Sequence, residues 1–136
     1  MVQNVPPAQV WEALQSDSSS VLIDVRTDAE WNFVGLADLS AIGKDVVLLA
    51  WQVYPSMQVN PRFGEQLREA GLTEQQCLYF ICRSGVRSLA AAQAAQQAGF
   101  AHAFNVADGF EGPLDADGHR GQAGGWKAEA LPWRQR

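Results

Sequence analysis

The stretch ICRSGVRSLAAAQAAQQAGF, Ile81 to Phe100, decides the fold. It begins at the end of an apolar run, Leu78 to Ile81, that reads as a buried strand. Cys82, two arginines and a glycine follow within six residues. An alanine-rich segment then predicts a helix over Ser88–Ala98, with Gly99 past its end. A strand turning directly into a helix is the repeating step of a parallel α/β sheet. In such sheets ligands sit beyond the carboxyl ends of the strands, which is where Cys82 falls.

The rest of the chain has the same rhythm. Val21 to Val25 (VLIDV) and Val46 to Trp51 (VVLLAW) are short apolar strand signals. His102 to Val106 (HAFNV) reads as the last strand, and a short strand near Val2–Val5 carries a weak signal. Pro6-Pro7 precede a helix whose Val10, Trp11 and Leu14 share a face. Thr27 and Glu30 form a capping-box pattern ahead of a short helix with Trp31 and Phe33, which Gly35 stops. Asn60 followed by Pro61 predicts an N-cap for a helix that ends at Gly71. The segment from Leu36 to Asp45 reads as loop. Alternating strands and helices predict an α/β domain with a mostly parallel sheet. Beyond Gly112 the composition becomes glycine-rich, and one turn of helix is expected at WKAEA. Trp126 and Trp133 predict that this extension, 113–136, packs on a core of about 2–112 to make one domain.

Composition excludes several functions. The 136 residues suit one domain. With 47% hydrophobic and 18% charged residues, the chain can build a core. A net charge of −5 with no basic stripe argues against nucleic acid. No apolar run reaches the length of a membrane span, and the first residues lack the pattern of a secretory signal, so a cytoplasmic setting is expected. Cys77 and Cys82 fall on opposite faces of one strand, roughly 16 Å apart, too far for a disulfide. His102 and His119 complete no metal-ligand spacing, and no cofactor is implied.

The chemistry therefore concentrates at Cys82. Unpaired N–H groups at the start of the following helix point into the turn, and the helix dipole adds partial positive charge. Gly85 permits a tight curl, and Arg83 and Arg87 add formal charge. All of these favour a thiolate over a thiol and make Cys82 the expected nucleophile. They also favour an anionic substrate. Cys77 lacks these surroundings and reads as a core or strand-end residue. Asp24 ends a buried strand and needs a partner, which Arg26 supplies if it pairs with Asp24 or Glu30. Trp51 and Tyr54 follow a strand end, where a pocket wall and core packing are both open readings. His119 and Arg120 fall in a polar loop, and exposure is the expectation for both.

These residues resemble a known family. CRSGVRS, with Cys82, Arg83, Ser84, Gly85, Val86, Arg87 and Ser88, is similar to the active-site pattern C-R-x-G-x-R-[ST] of rhodaneses. LIDVRTDAEW resembles the family's D-V-R…E-[WYF] signature at Asp24, Val25, Arg26, Glu30 and Trp31. NPRF (Asn60–Phe63) resembles a stretch before its middle helix, and NVADGFEG resembles its closing strand and turn, with Asp108-Gly109 for the usual Gly-Gly. The likeness covers roughly Val2 to Gly112. Leu36 stands where the family's G-H-I has histidine, the segment from Leu36 to Trp51 departs from the family pattern, and the tail is longer than a minimal domain requires. The resemblance implies a three-layer fold, a five-stranded mostly parallel sheet with helices on both faces. It implies a sulfurtransferase that carries a persulfide on Cys82, with a small anionic sulfur donor such as thiosulfate and a thiol, cyanide or protein acceptor. It makes the residues Arg83 to Ser88 the substrate-binding loop and Asp24, Arg26 and Glu30 a structural signature.

Two rival classes stay open. Cysteine-dependent phosphatases and arsenate reductases also place a cysteine and an arginine around a loop before a helix, but with five residues between them. Here four separate Cys82 from Arg87. A persulfide relay or binding module for a protein partner is the other rival.

Overall fold

The computed structural model describes residues 1–53 and 55–136. Its elements, in chain order, are β1 (Gln3–Val5), α1 (Pro7–Ser16), β2 (Ser20–Asp24), α2 (Asp28–Phe33), β3 (Leu36–Ala37), a 3-10 turn (Ser40–Ile42), β4 (Val47–Leu48), β5 (Gln52–Val53), β6 (Gln58–Val59), α3 (Phe63–Glu69), β7 (Cys77–Ile81), α4 (Val86–Gln97), β8 (Ala103–Val106) and β9 (Trp133–Arg134). Five strands form a parallel sheet in the order β1-β8-β7-β2-β4. Register brings Asp24 opposite Ile81, so the carboxyl ends of the two central strands finish together.

Strand alternation sorts the core into two layers. Leu78, Phe80 and Cys82 face α3 and α4, packing with Phe63, Leu67, Ala91, Ala92 and Ala95. Tyr79 and Ile81 face the other way, with Val10 and Leu14 of α1, Phe110 and Trp126. Cys77 borders that second layer, so the two cysteines do lie on opposite faces. The alanines of α4 explain its closeness to the sheet: Ser88, Ala91, Ala92 and Ala95 are its buried face, and none is large.

Several elements differ from the sequence expectation. The strand expected over Val46–Trp51 is only Val47–Leu48, half-buried at the sheet edge; beyond it Leu49 and Trp51 donate their N–H groups to Asp24 and Val25 without forming a regular ladder. The chain then makes an unexpected hairpin of β5 and β6. Asn60 does not cap α3. Its Oδ1 accepts from the Arg62 N–H at 3.0 Å, an Asx turn that delays the helix to Phe63. Helix α4 starts two residues early, at Val86, which moves Arg87 into its first turn. The supposed loop after Gly35 holds β3, which pairs antiparallel with β9 from the far end of the chain. The segment at WKAEA forms turns, and the side chain of its first residue, Trp126, is fully buried, its ring N–H held by the Pro132 carbonyl at 2.7 Å.

Candidate active site

The site is built where β7 ends. Cys82 is 1% exposed, its Sγ beneath a turn formed by Arg83, Ser84 and Gly85. The Gly85 N–H points at Sγ from 3.1 Å. Gly85 caps α4 with φ 106°, a conformation that L side chains rarely adopt. The turn is strapped from behind. The Phe110 N–H donates to the Cys82 carbonyl at 2.8 Å, and those of Glu111 and Gly112 donate to the Arg83 carbonyl at 2.9 and 3.1 Å. A Cβ on Gly109 would lie 2.7 Å from the Arg83 carbonyl carbon and closer still to the Cys82 oxygen, so only glycine fits. Asp108 beside it has φ 63°, a left-handed conformation that aspartate tolerates better than most residues.

A buried hydrogen-bond chain reaches the sulfur from the other side. Ser88 Oγ lies 3.2 Å from Cys82 Sγ and 2.5 Å from Asn105 Oδ1. The Asn105 amide nitrogen donates to the Gly85 carbonyl at 3.1 Å and to Asn4 Oδ1 at 2.8 Å. The Gly85 carbonyl can only accept, so Asn105 must turn its oxygen to Ser88. Ser88 has one proton. While Asn105 holds it, a Ser88 lone pair faces the sulfur and accepts from a thiol; a thiolate draws the proton to itself instead. Asn105 and Asn4 were missed by sequence reasoning. The available signal was a polar residue inside the apolar strand HAFNV, which needs a buried partner.

The arginines divide by environment. Arg87 makes two bonds to Glu30, at 2.6 and 2.9 Å, across 57 positions of sequence. Burial pushes the Glu30 carboxyl up, but the Arg87 hydrogen bond and charge and the Thr27 N–H outweigh it and hold the carboxyl below its usual range. The hydrogen bonds that Arg87 donates to Glu30 in turn raise the Arg87 guanidinium. Arg26 pairs with Asp24 instead, at 2.6 Å, fully buried, with a further bond to the Gly35 carbonyl at 2.7 Å and the Phe110 ring 4.4 Å beneath it. The expected Asp24 or Glu30 partner of Arg26 is therefore Asp24. Glu30 serves Arg87, while its own helix is capped by Thr27 as the pattern predicts.

Arg83 is exposed and lines a cavity of about 450 Å³ together with Arg87, Glu30, Glu111 and Arg120. Val34 and Met57 complete the wall. Arg120 is thus half-buried at this cavity, tied to the Gly112 carbonyl at 2.7 Å, whereas His119 is exposed in its loop. Ser84, Gly85 and Val86 face a second cavity of about 440 Å³, with Asn4 and Asn105 at its back. Val86 is 76% exposed. Trp51 packs edge-on against Phe63 at 5.2 Å, in the core rather than on the Arg83 cavity, and Tyr54 lies outside the described residues. Cys77 has no helix N-terminus beside it, and burial and then the charge of Asp17 push its thiol up. Among the described residues no three His, Cys, Asp or Glu side chains gather as a metal-ligand set. No helix among them is long and apolar enough to cross a membrane.

Comparison with known proteins bears on the family and the fold. The family model for the rhodanese-like domain matches residues 6–115. An uncharacterised protein of Rickettsia conorii is 34% identical over 133 residues, covering 98% of each chain. The crystal structure of Rv0390 from M. tuberculosis superposes with a TM-score of 0.89 at 46% identity, covering 99% of this chain and 98% of that one. A polysulfide-sulfur transferase from Wolinella succinogenes, a homodimer, shares the fold at a TM-score of 0.65 and 20% identity, covering 99% of this chain and 80% of the other.

Proposed function

The chain belongs to the rhodanese-like domain family, and from that premise we propose that it is a sulfurtransferase working through a persulfide on Cys82. The observation that carries the reading is the Gly85 N–H directed at Cys82 Sγ at the start of a helix. The Cys82 thiolate attacks the outer sulfur of thiosulfate. A Cys82 S–S bond forms, the donor's S–S bond breaks, and sulfite leaves with the electron pair. The outer sulfur carries the negative charge, one bond beyond Sγ, where the N–H groups of the turn and the dipole of α4 stabilise it. A thiol or cyanide then takes that sulfur and restores the thiolate. The fold hosts related chemistry in the Wolinella succinogenes transferase. The proposal also takes residues 113–136 as part of the same domain, since Trp126 in that segment is fully buried.

The phosphatase alternative is disfavoured by Arg87. A phosphoryl group needs donors for three equatorial oxygens in the transition state. The Arg87 guanidinium is already committed to Glu30 through two nitrogens, and the ring is one residue shorter. The test is turnover of thiosulfate with cyanide beside p-nitrophenyl phosphate, with Cys82→Ser as control. Thiocyanate formation that depends on Cys82 and exceeds phosphate release is expected. Cys82-dependent phosphate release without thiocyanate would promote the phosphatase.

A further inference from the structure

Asn105 is a polar side chain, 3% exposed, inside the apolar strand β8. It lies opposite Asn4 in the parallel pairing of β1 with β8, and Asn4 Oδ1 accepts one of its two N–H groups. The Gly85 carbonyl accepts the other. Both donors are committed to fixed acceptors, so the amide oxygen cannot turn away from Ser88. Ser88 is fully buried and its hydroxyl carries a single proton. Two acceptors compete for it, Asn105 Oδ1 at 2.5 Å and Cys82 Sγ at 3.2 Å. A cysteine thiol does not compete, since it donates to the Ser88 lone pair. A thiolate does. Giving it the proton leaves a buried amide oxygen bare. Withholding the proton sets an oxygen lone pair against the charged sulfur.

We propose that Asn105 is a positioning residue that acts through Ser88 to keep the Cys82 thiolate one hydrogen bond short, and so drives sulfur onto Cys82. The inference rests on the sulfur-transfer reading and concerns which half of that reaction the buried chain favours. When the thiolate attacks thiosulfate, a Cys82 S–S bond forms, the donor's S–S bond breaks, and sulfite leaves with the electron pair. Sγ becomes a neutral bridging sulfur, and the charge moves to the outer atom. Asn105 then recovers the Ser88 proton. Discharge runs the other way. Cyanide takes the outer sulfur as thiocyanate, the electron pair of the broken S–S bond returns to Sγ, and the hydrogen bond is lost again. Asn105 thus speeds loading and slows discharge. The charged groups around the sulfur are held independently of it: Arg83 and Arg87 flank the turn, Arg87 pairs with Glu30, and Asp24 pairs with Arg26.

Asn105→Leu, Ser88→Ala and the double variant test this, with melting curves to confirm folding. Asn105→Val, which suits a strand, takes the place of Asn105→Leu if that variant does not fold. Single-turnover loading from thiosulfate and discharge to cyanide are followed by mass spectrometry, at a pH where the alkylation rate of Cys82 has reached its plateau. In Asn105→Leu the ratio of loading rate to discharge rate should fall about fivefold, the worth of one hydrogen bond, through slower loading and faster discharge. Alkylation by iodoacetamide should reach half its plateau at a lower pH than in wild type, because the freed Ser88 proton now serves the thiolate. In the Ser88→Ala background the same Asn105 substitution should change none of these. A residue that only held the turn together would, on removal, slow both half-reactions. Slowing of both, an unchanged alkylation profile, or an Asn105 effect that survives in Ser88→Ala overturns the proposal. Absence of added sulfur on wild type overturns sulfur transfer itself, and the alkylation profiles then still decide the role of Asn105.

Discussion

The Cys82 sulfur sits between two controls, the Gly85 N–H and the Ser88 hydroxyl. Both are set by Asn105, which is 3% exposed and bonds Ser88 with one end of its amide and the Gly85 carbonyl with the other. Asn105→Leu should cost about 1–3 kcal/mol, because it leaves the Gly85 carbonyl without that donor and Ser88 without an acceptor. Ser88→Ala added to Asn105→Leu should cost little more, since the two share one hydrogen bond. Denaturant melts of the two single variants and the double check this; simply additive losses would mean the residues act separately. The cysteine turn was legible because its chemistry is local: cysteine, glycine and two arginines fall within six residues. The Asn105 link was not, because it joins residues 17 apart and depends on the pairing of β7 with β8. The division of labour between Arg83 and Arg87 was equally hidden, since Glu30 reaches Arg87 only through the tertiary fold.

At the scale of elements, two ion pairs fix the ends of the central strands. Asp24 and Arg26 are 1% and 0% exposed, so removing one partner strands a buried charge. Asp24→Asn should destabilise by about 3–5 kcal/mol, measured by urea unfolding; an unchanged midpoint would show that the pair does not hold the strand ends. The pair of Glu30 and Arg87 ties α2 to the first turn of α4 and is mostly shielded, with side chains 21% and 18% exposed. Because the folded Glu30 carboxyl lies below its ordinary range, its stabilisation is complete above about pH 4.3 and is lost as pH falls through the lower folded value. The stability difference between wild type and Glu30→Gln should therefore stay level from about pH 7 to 5 and shrink in stronger acid. A difference that grows on acidification would contradict the pairing. The helices and central strands were readable from apolar runs and caps. The pair of β3 and β9 was not, since each is two residues long and their partnership spans almost the whole chain. The Asn60–Pro61 cap failed because an Asx turn uses the same residues to stop short of the helix.

Over the whole molecule, the glycine-rich extension closes one side of the sheet. Trp126 fills the layer between α1 and the sheet, edge-on to Trp11 at 6.0 Å, and its backbone N–H bonds the Gly109 carbonyl behind the cysteine turn. Trp126→Ala should cost about 3–5 kcal/mol, and a chain ending at residue 115 should lose cooperative melting; a truncated chain that melts like the full one would make the extension dispensable. The chain carries a net charge of −5, yet three arginines meet at the cavity beside Cys82. In the proposed reaction, cations placed there on an acidic protein would draw anions toward Cys82, while Glu30 and Glu111 would limit the excess. Everything in this account converges on one sulfur atom, and mass spectrometry after thiosulfate treatment tests it most directly. The account predicts one added sulfur on Cys82, removed by dithiothreitol, present in Cys77→Ser and absent in Cys82→Ser. Added sulfur that persists in Cys82→Ser and disappears in Cys77→Ser would contradict it.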